Sequence, residues 1–229
     1  MIKKLSFIMA LVLVFCLLSV PTAAAEAENE LPDVDITSWE FLVANTYNSI
    51  LEYAPPYAGF EGQGIDERIA EPLAAFLTAA RNEGYQAYVA AAYRNWDFQL
   101  SHFRNFLATQ ENAAEAVKHF HAPGTCDHQT GLSVCITADA SCSAAYYRYD
   151  NSAILDTELY QWALEHCHEY GFILRFPEGK EQYYGTPCEP GHFRYVGVEA
   201  ATYIMENDLC LEEFILMYDE DAILVPGIN

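Results

Sequence analysis

The feature that most constrains this chain is a change of hydrophobic period partway along it. Ile65, Ile69, Leu73, Phe76, Leu77 and Ala80 recur at the spacing of one helix face, and Gly84 ends the pattern. Beyond it, short apolar runs at 86–93, 132–136, 172–176 and 192–196 read as strands. Segments 96–118 and 154–170 carry helical spacing, and a closing helix is expected over 198–206. In the first of these helices Phe98, Phe103, Phe106 and Leu107 are available for the core. Pro55-Pro56 with Gly59, Gly62 and Gly64 reads as a loop. A helix first and later strands joined by turns argue for an α+β fold, an antiparallel sheet packed with helices. The 229 residues fit a single domain with a sizeable core.

The N-terminal segment carries a different message. Lys3 and Lys4 precede an apolar run from Leu5 to Val20, followed by Pro21, Thr22 and Ala23-Ala24-Ala25. That order predicts a signal peptide over residues 1–25. The run is shorter than the roughly 20 residues that cross a bilayer, so a mature chain that does not span the membrane is expected. Residues 26–38 are acidic and without period and read as a flexible leader, leaving 39–229 as the folded domain. The 33 acidic residues against 11 Lys and Arg, a net charge of −22, exclude nucleic acid as a partner, because phosphate binding needs clustered cations. Such acidity suits solubility outside the cell. Cys126, Cys135, Cys142, Cys167, Cys188 and Cys210 follow the leader, an even count that in an oxidising compartment points to disulfides, with the pairing left open.

The polar residues that bear chemistry fall in three segments: Tyr93-Arg94-Asn95 with Gln99, then Cys126 to Gly131, then Glu189-Pro190-Gly191-His192. Two histidines on separate strands with a glutamate nearby suggest a metal hydrolase. Catalytic zinc takes three protein ligands and keeps a position for water, beside which an acid can act as base. Of the seven histidines, His102, His119, His121, His166 and His168 read most simply as surface residues.

The stretches His121 to Ile136 and Trp162 to Gly197, together with Tyr93-Arg94 and Gln99, resemble the VanY-like D-alanyl-D-alanine carboxypeptidases, zinc peptidases with a Hedgehog/DD-peptidase-like single domain. The family carries S-x-H-x-x-G-x-A-x-D and later E-P-W-H. The resemblance implies His128 and His192 as zinc ligands and Glu189 as catalytic base. It also implies that Arg94, with Gln99, holds the substrate and its terminal carboxylate, a task to which a planar guanidinium is suited. It departs from the family at Cys126 in place of Ser, Ser133 in place of Ala, Cys135 in place of the Asp ligand and Gly191 in place of Trp.

Three readings of Cys135 stay open. As a thiolate it would complete a His, His, Cys site for Zn2+, at about 2.3 Å against roughly 2.0–2.2 Å for carboxylate oxygen. Otherwise it is half of a disulfide, or an inert buried thiol. Cys126 and Cys188 each precede a site residue, so a disulfide between them would staple the two halves. Losing tryptophan at Gly191 would loosen His192 or widen the pocket. Asp127 reads as solvated or as an outer partner of the site, and Asp139 as a remote substitute for the missing carboxylate.

The resemblance thus implies a secreted or cell-wall-associated bacterial zinc metallopeptidase, expected to be monomeric, that removes the terminal D-amino acid from peptidoglycan stem peptides or related peptides. The motifs do not separate carboxypeptidase from dipeptidase or endopeptidase. The competing class is a catalytically silent relative that binds cell-wall peptides, and Glu189 argues against it. A disulfide-rich structural protein would explain the cysteines but not the ordered motifs.

Overall fold

A computed structural model describes residues 30–110, 120–142 and 154–222. The expected signal peptide, His119 and the end of the expected 96–118 helix lie outside these residues. The first elements correct an expectation. The glycine-rich stretch read as a loop is an antiparallel hairpin, β1 (Tyr57–Phe60) and β2 (Gln63–Asp66), with Phe60 opposite Gln63. Its two turn residues, Glu61 (φ 46°) and Gly62 (φ 84°), both take the left-handed conformation that matches strand twist in two-residue hairpins.

Asp66 ends β2 and accepts a hydrogen bond from the Arg68 amide at 2.9 Å, opening a short 3-10 turn that leads into α1 (Ala70–Asn82). Ile65 therefore belongs to the hairpin and Ile69 to the turn, while Leu73, Phe76, Leu77 and Ala80 form the buried face of α1 as their spacing predicts. Strands β3 (Tyr88–Ala91), β4 (Ser133–Thr137), β5 (Phe172–Leu174) and β6 (His192–Tyr195) form one antiparallel sheet in the order β3-β4-β6-β5. Phe76 is the wedge between α1 and this sheet. Its ring lies 5.5 Å from Phe172, 5.7 Å from Phe193 and 5.8 Å from Trp162 of α3 (Glu158–His166).

Between β3 and β4 runs α2 (Trp96–Ala108), whose fully buried side chain is Gln99 and not an aromatic one. Phe103 and Phe106 are half-buried against Phe120 instead of entering the core, because this helix lies over the site and not over the sheet's apolar face. After α4 (Glu181–Tyr184), helices α5 (Val198–Glu206) and α6 (Leu211–Leu216) build a second apolar cluster with Phe41 and Ile173. Val34 and Ile36 pack against that cluster, and the Tyr218 hydroxyl donates to the Pro32 carbonyl. The part of the presumed leader from residue 32 is thus folded on the domain, since its alternate apolar residues have a surface to bury.

Beneath the sheet lies a fully buried charge network. The Asp127 carboxylate accepts from Arg194 at 2.7 Å and Arg175 at 3.2 Å, and Arg175 also donates to Glu212 at 2.9 Å. Asn45 donates to Glu212 at 2.8 Å, and Arg194 donates to the carbonyls of Glu40 and Leu42 at 2.9 and 2.7 Å. The two acids and two guanidiniums balance, the condition under which buried charge is tolerated.

Candidate metal centre

Sheet register assembles the site. β4 pairs with β6 so that Cys135 stands directly opposite His192, which makes their side chains cross-strand neighbours on one face. His128 comes from the 3-10 turn Asp127–Thr130 just before β4. Cys135 Sγ lies 3.4 Å from His128 Nε2, and the two imidazoles face each other at 4.5 Å. One ligand atom from each of His128, Cys135 and His192 falls within 4.8 Å of the others. Both histidines are buried, yet His128 Nδ1 and His192 Nε2 lack hydrogen-bond partners, while Cys135 remains half-exposed at the mouth of the group. Two imidazoles and a thiol converging in this way suit a borderline-soft cation such as zinc, and they leave room for further ligands.

Glu189 sits at the entrance on the turn before β6. Its Oε2 is 2.8 Å from His192 Nδ1 and its Oε1 is 3.3 Å from His121 Nε2. Burial pushes the Glu189 carboxyl up, but hydrogen bonds and charge from His121 and His192 outweigh it and hold it far below the ordinary carboxylate range. Burial and the nearby Arg94 and His192 charges hold His128 well below the usual imidazole value. Burial also disfavours charge on His192, yet Cys135, Asp127 and Glu189 around it raise its pKa well above normal.

Asp127 is neither solvated nor exposed. Fully buried, it places Oδ2 3.5 Å from His192 Nε2 and accepts a hydrogen bond from Ser133, tying the site to the charge network. Asp139 is exposed, its carboxylate bonded to Ser141 at 2.6 Å, so it is no substitute ligand. The six cysteines among the described residues are free thiols, and the expected Cys126 to Cys188 disulfide is not formed. Burial raises both thiols, Cys188 to about 11, which keeps them protonated and unreactive. Gly191 has φ 81°, a conformation costly for tryptophan, so this turn follows a glycine path to His192.

Arg94 is tied to the site through its backbone, its amide donating to the His128 carbonyl at 3.2 Å. It borders a cavity of about 530 Å³ lined also by Tyr57, Tyr93, Asn95 and Phe98. Gln99 is buried and donates to the His121 carbonyl at 2.6 Å, so its amide braces the neighbouring segment. His121 itself overturns its assignment to the surface: its side chain is 9% exposed and lies against Glu189. The hint was its place in the same motif-bearing stretch as His128, which the turn at Pro123-Gly124 folds back toward the site.

A carboxylate beside three convergent ligand side chains is the arrangement of a metal-dependent hydrolase. Comparison with known proteins makes this specific. The family model for VanY, D-alanyl-D-alanine carboxypeptidase, matches residues 62–198. A D-alanyl-D-alanine carboxypeptidase of Enterococcus faecalis is 35% identical over 191 residues, covering 79% of this chain and 67% of the relative. Across the curated relatives matched, this chain spans from 48% to 67% of their length. Among solved structures, a glutamate-to-alanine mutant of the vancomycin resistance D,D-pentapeptidase VanY in complex with Zn(II) superposes with a TM-score of 0.66 at 34% identity, covering 78% of this chain and 99% of that one. VanYB in complex with D-alanine-D-alanine gives 0.65 at 34% identity, covering 78% and 98%. The chain belongs to the VanY family of D-alanyl-D-alanine carboxypeptidases.

Proposed function

We propose that this chain is a secreted, zinc-dependent carboxypeptidase that hydrolyses the terminal D-Ala-D-Ala-type bond of peptidoglycan stem peptides. The observation that carries the reading is the meeting of His128, Cys135 and His192 within 4.8 Å, with the Glu189 carboxylate 2.8 Å from His192, in a VanY fold. His128, Cys135 and His192 would hold the metal, with Cys135 taking the place of the family's aspartate as a thiolate. Zinc supplies Lewis acidity toward the scissile carbonyl and the attacking water.

Glu189 is placed to accept the water proton on a carboxylate oxygen and to return it to the leaving amine. A glutamate carboxyl is ionised at neutral pH, as a base must be. Arg94 grips the terminal carboxylate of the substrate from the cavity side, and this contact orients the peptide for attack. The apolar run Leu5 to Val20 followed by Ala23-Ala24-Ala25 supports export, which brings the enzyme to a cell-wall substrate in a bacterium.

The test combines elemental analysis with turnover of a stem pentapeptide ending in D-Ala-D-Ala. About one zinc per chain is expected, lost in Cys135→Ser, with D-alanine release abolished in Glu189→Ala while zinc stays bound. Wild-type protein that binds zinc and peptide but releases no D-alanine would instead be the silent binding relative. Turnover persisting in Glu189→Ala would remove the assignment of the base.

A further inference from the structure

We infer that His121 is a positioning residue for Glu189, held in place by Gln99. The inference rests on the reading of Glu189 as base and assigns a role to a histidine outside the ligand set.

Glu189 needs an external support. It stands on a turn whose third residue, Gly191, has φ 81°, so no regular element fixes the carboxylate, and its side-chain contacts must hold it. Its recorded side-chain partners are His192 on Oε2 at 2.8 Å and His121 on Oε1 at 3.3 Å. His192 is one of the three convergent side chains, so its contact with Glu189 belongs to the proposed ligand set itself. The contact with His121 comes from outside that set. A donor from His121 Nε2 to Oε1 steadies the carboxylate from the side away from His192.

His121 is in turn held on two sides. Its ring stacks on Phe176 at 5.8 Å and 25°, and Phe176 meets His192 edge-on at 5.0 Å. Its carbonyl accepts from the buried Gln99 amide at 2.6 Å, so α2 anchors the segment. Gln99, His121 and Glu189 thereby form a brace from the helix covering the site to the carboxylate at its entrance. Outer partners of this kind typically change activity by roughly 10–100-fold when removed.

Three variants and a spectroscopic measurement test the brace. His121→Ala is expected to lower kcat by roughly tenfold or more with KM and zinc content unchanged. His121→Gln, which keeps an N–H donor at similar reach, should recover most of the rate. His121→Phe, which keeps the stacking on Phe176 without a donor, should show the alanine loss, and it carries the test if the alanine variant does not fold. In a Glu189→Ala background, removing His121 should change nothing further. Wild-type kcat in His121→Phe, or equal losses in His121→Gln and His121→Phe, overturns the inference. An active Glu189→Ala instead rejects the base. Independently of turnover, the 15N resonance of His121 Nε2 should move in Glu189→Gln, and an unmoved resonance rejects the contact.

Discussion

Asp127→Asn isolates the charge that links the fold to the site. The substitution is nearly isosteric, so it opens no cavity; it removes the negative charge and, with Oδ1 kept toward the two arginines, turns the oxygen that accepts from Ser133 into an amide donor. At an effective dielectric constant of about 20, Arg194 at 2.7 Å and Arg175 at 3.2 Å each attract that carboxylate by about 5–6 kcal/mol. Most of this offsets the cost of desolvating the ions, so the pair interactions are no direct measure of stability. Removing one partner, however, leaves Arg194 buried and without a carboxylate, while Arg175 keeps Glu212 at 2.9 Å. Breaking a buried pair in this way costs about 3–5 kcal/mol. For a domain of this size each kcal/mol lowers Tm by about 2–4 °C, so a fall of roughly 6–20 °C is expected. Zinc affinity should fall by roughly 10–100-fold as well, because Oδ2 stands 3.5 Å from His192 Nε2. Urea unfolding of the metal-free protein and competition with a chelator measure the two effects. A stability loss below about 1 kcal/mol with unchanged zinc affinity would refute the claim that Asp127 couples network and site.

Two further outcomes concern the fold. Phe76→Ala should destabilise the domain by about 3–5 kcal/mol, measured by urea unfolding, since the ring is fully buried among Phe172, Phe193 and Trp162. On α6, Glu213 pairs with Lys180 at 2.8 Å and accepts from the Cys210 amide at 2.9 Å. Burial pushes the Glu213 carboxyl up, but those hydrogen bonds and the Lys180 charge win and depress it. A depressed carboxylate stabilises the fold above its unfolded pKa of about 4.3 and loses that contribution as pH falls through the folded value. Wild type should therefore exceed Glu213→Gln by about 0.5–1 kcal/mol at pH 7, and urea midpoints should converge as the pH falls toward 3.

The residues that meet at the site were legible because they are carried by local strings. His128 and Cys135 lie within one short stretch, and Glu189 and His192 lie within one turn of β6, so their types and order are visible without any knowledge of the fold. The buried face of α1 and the closing helix α5 were legible for the same reason, since a helical period is a property of neighbouring residues. The hairpin β1–β2 was hidden because its strands are short and interrupted by glycine, so turn chemistry masked the alternation.

Other features depend on residues far apart in the chain. That Cys135 faces His192 follows from the register of β4 on β6. That Asp127 is a buried counter-ion follows from Arg175 and Arg194, 48 and 67 residues away. That His121 meets Glu189 follows from a contact across 68 residues, without which it reads as one more polar loop residue. Residue type and period are written locally and survive in the unfolded chain. Register, burial and the pairing of charges exist only once distant segments have excluded water between them, and in this protein they decide which carboxylate stands beside His128, Cys135 and His192 and which histidine meets it.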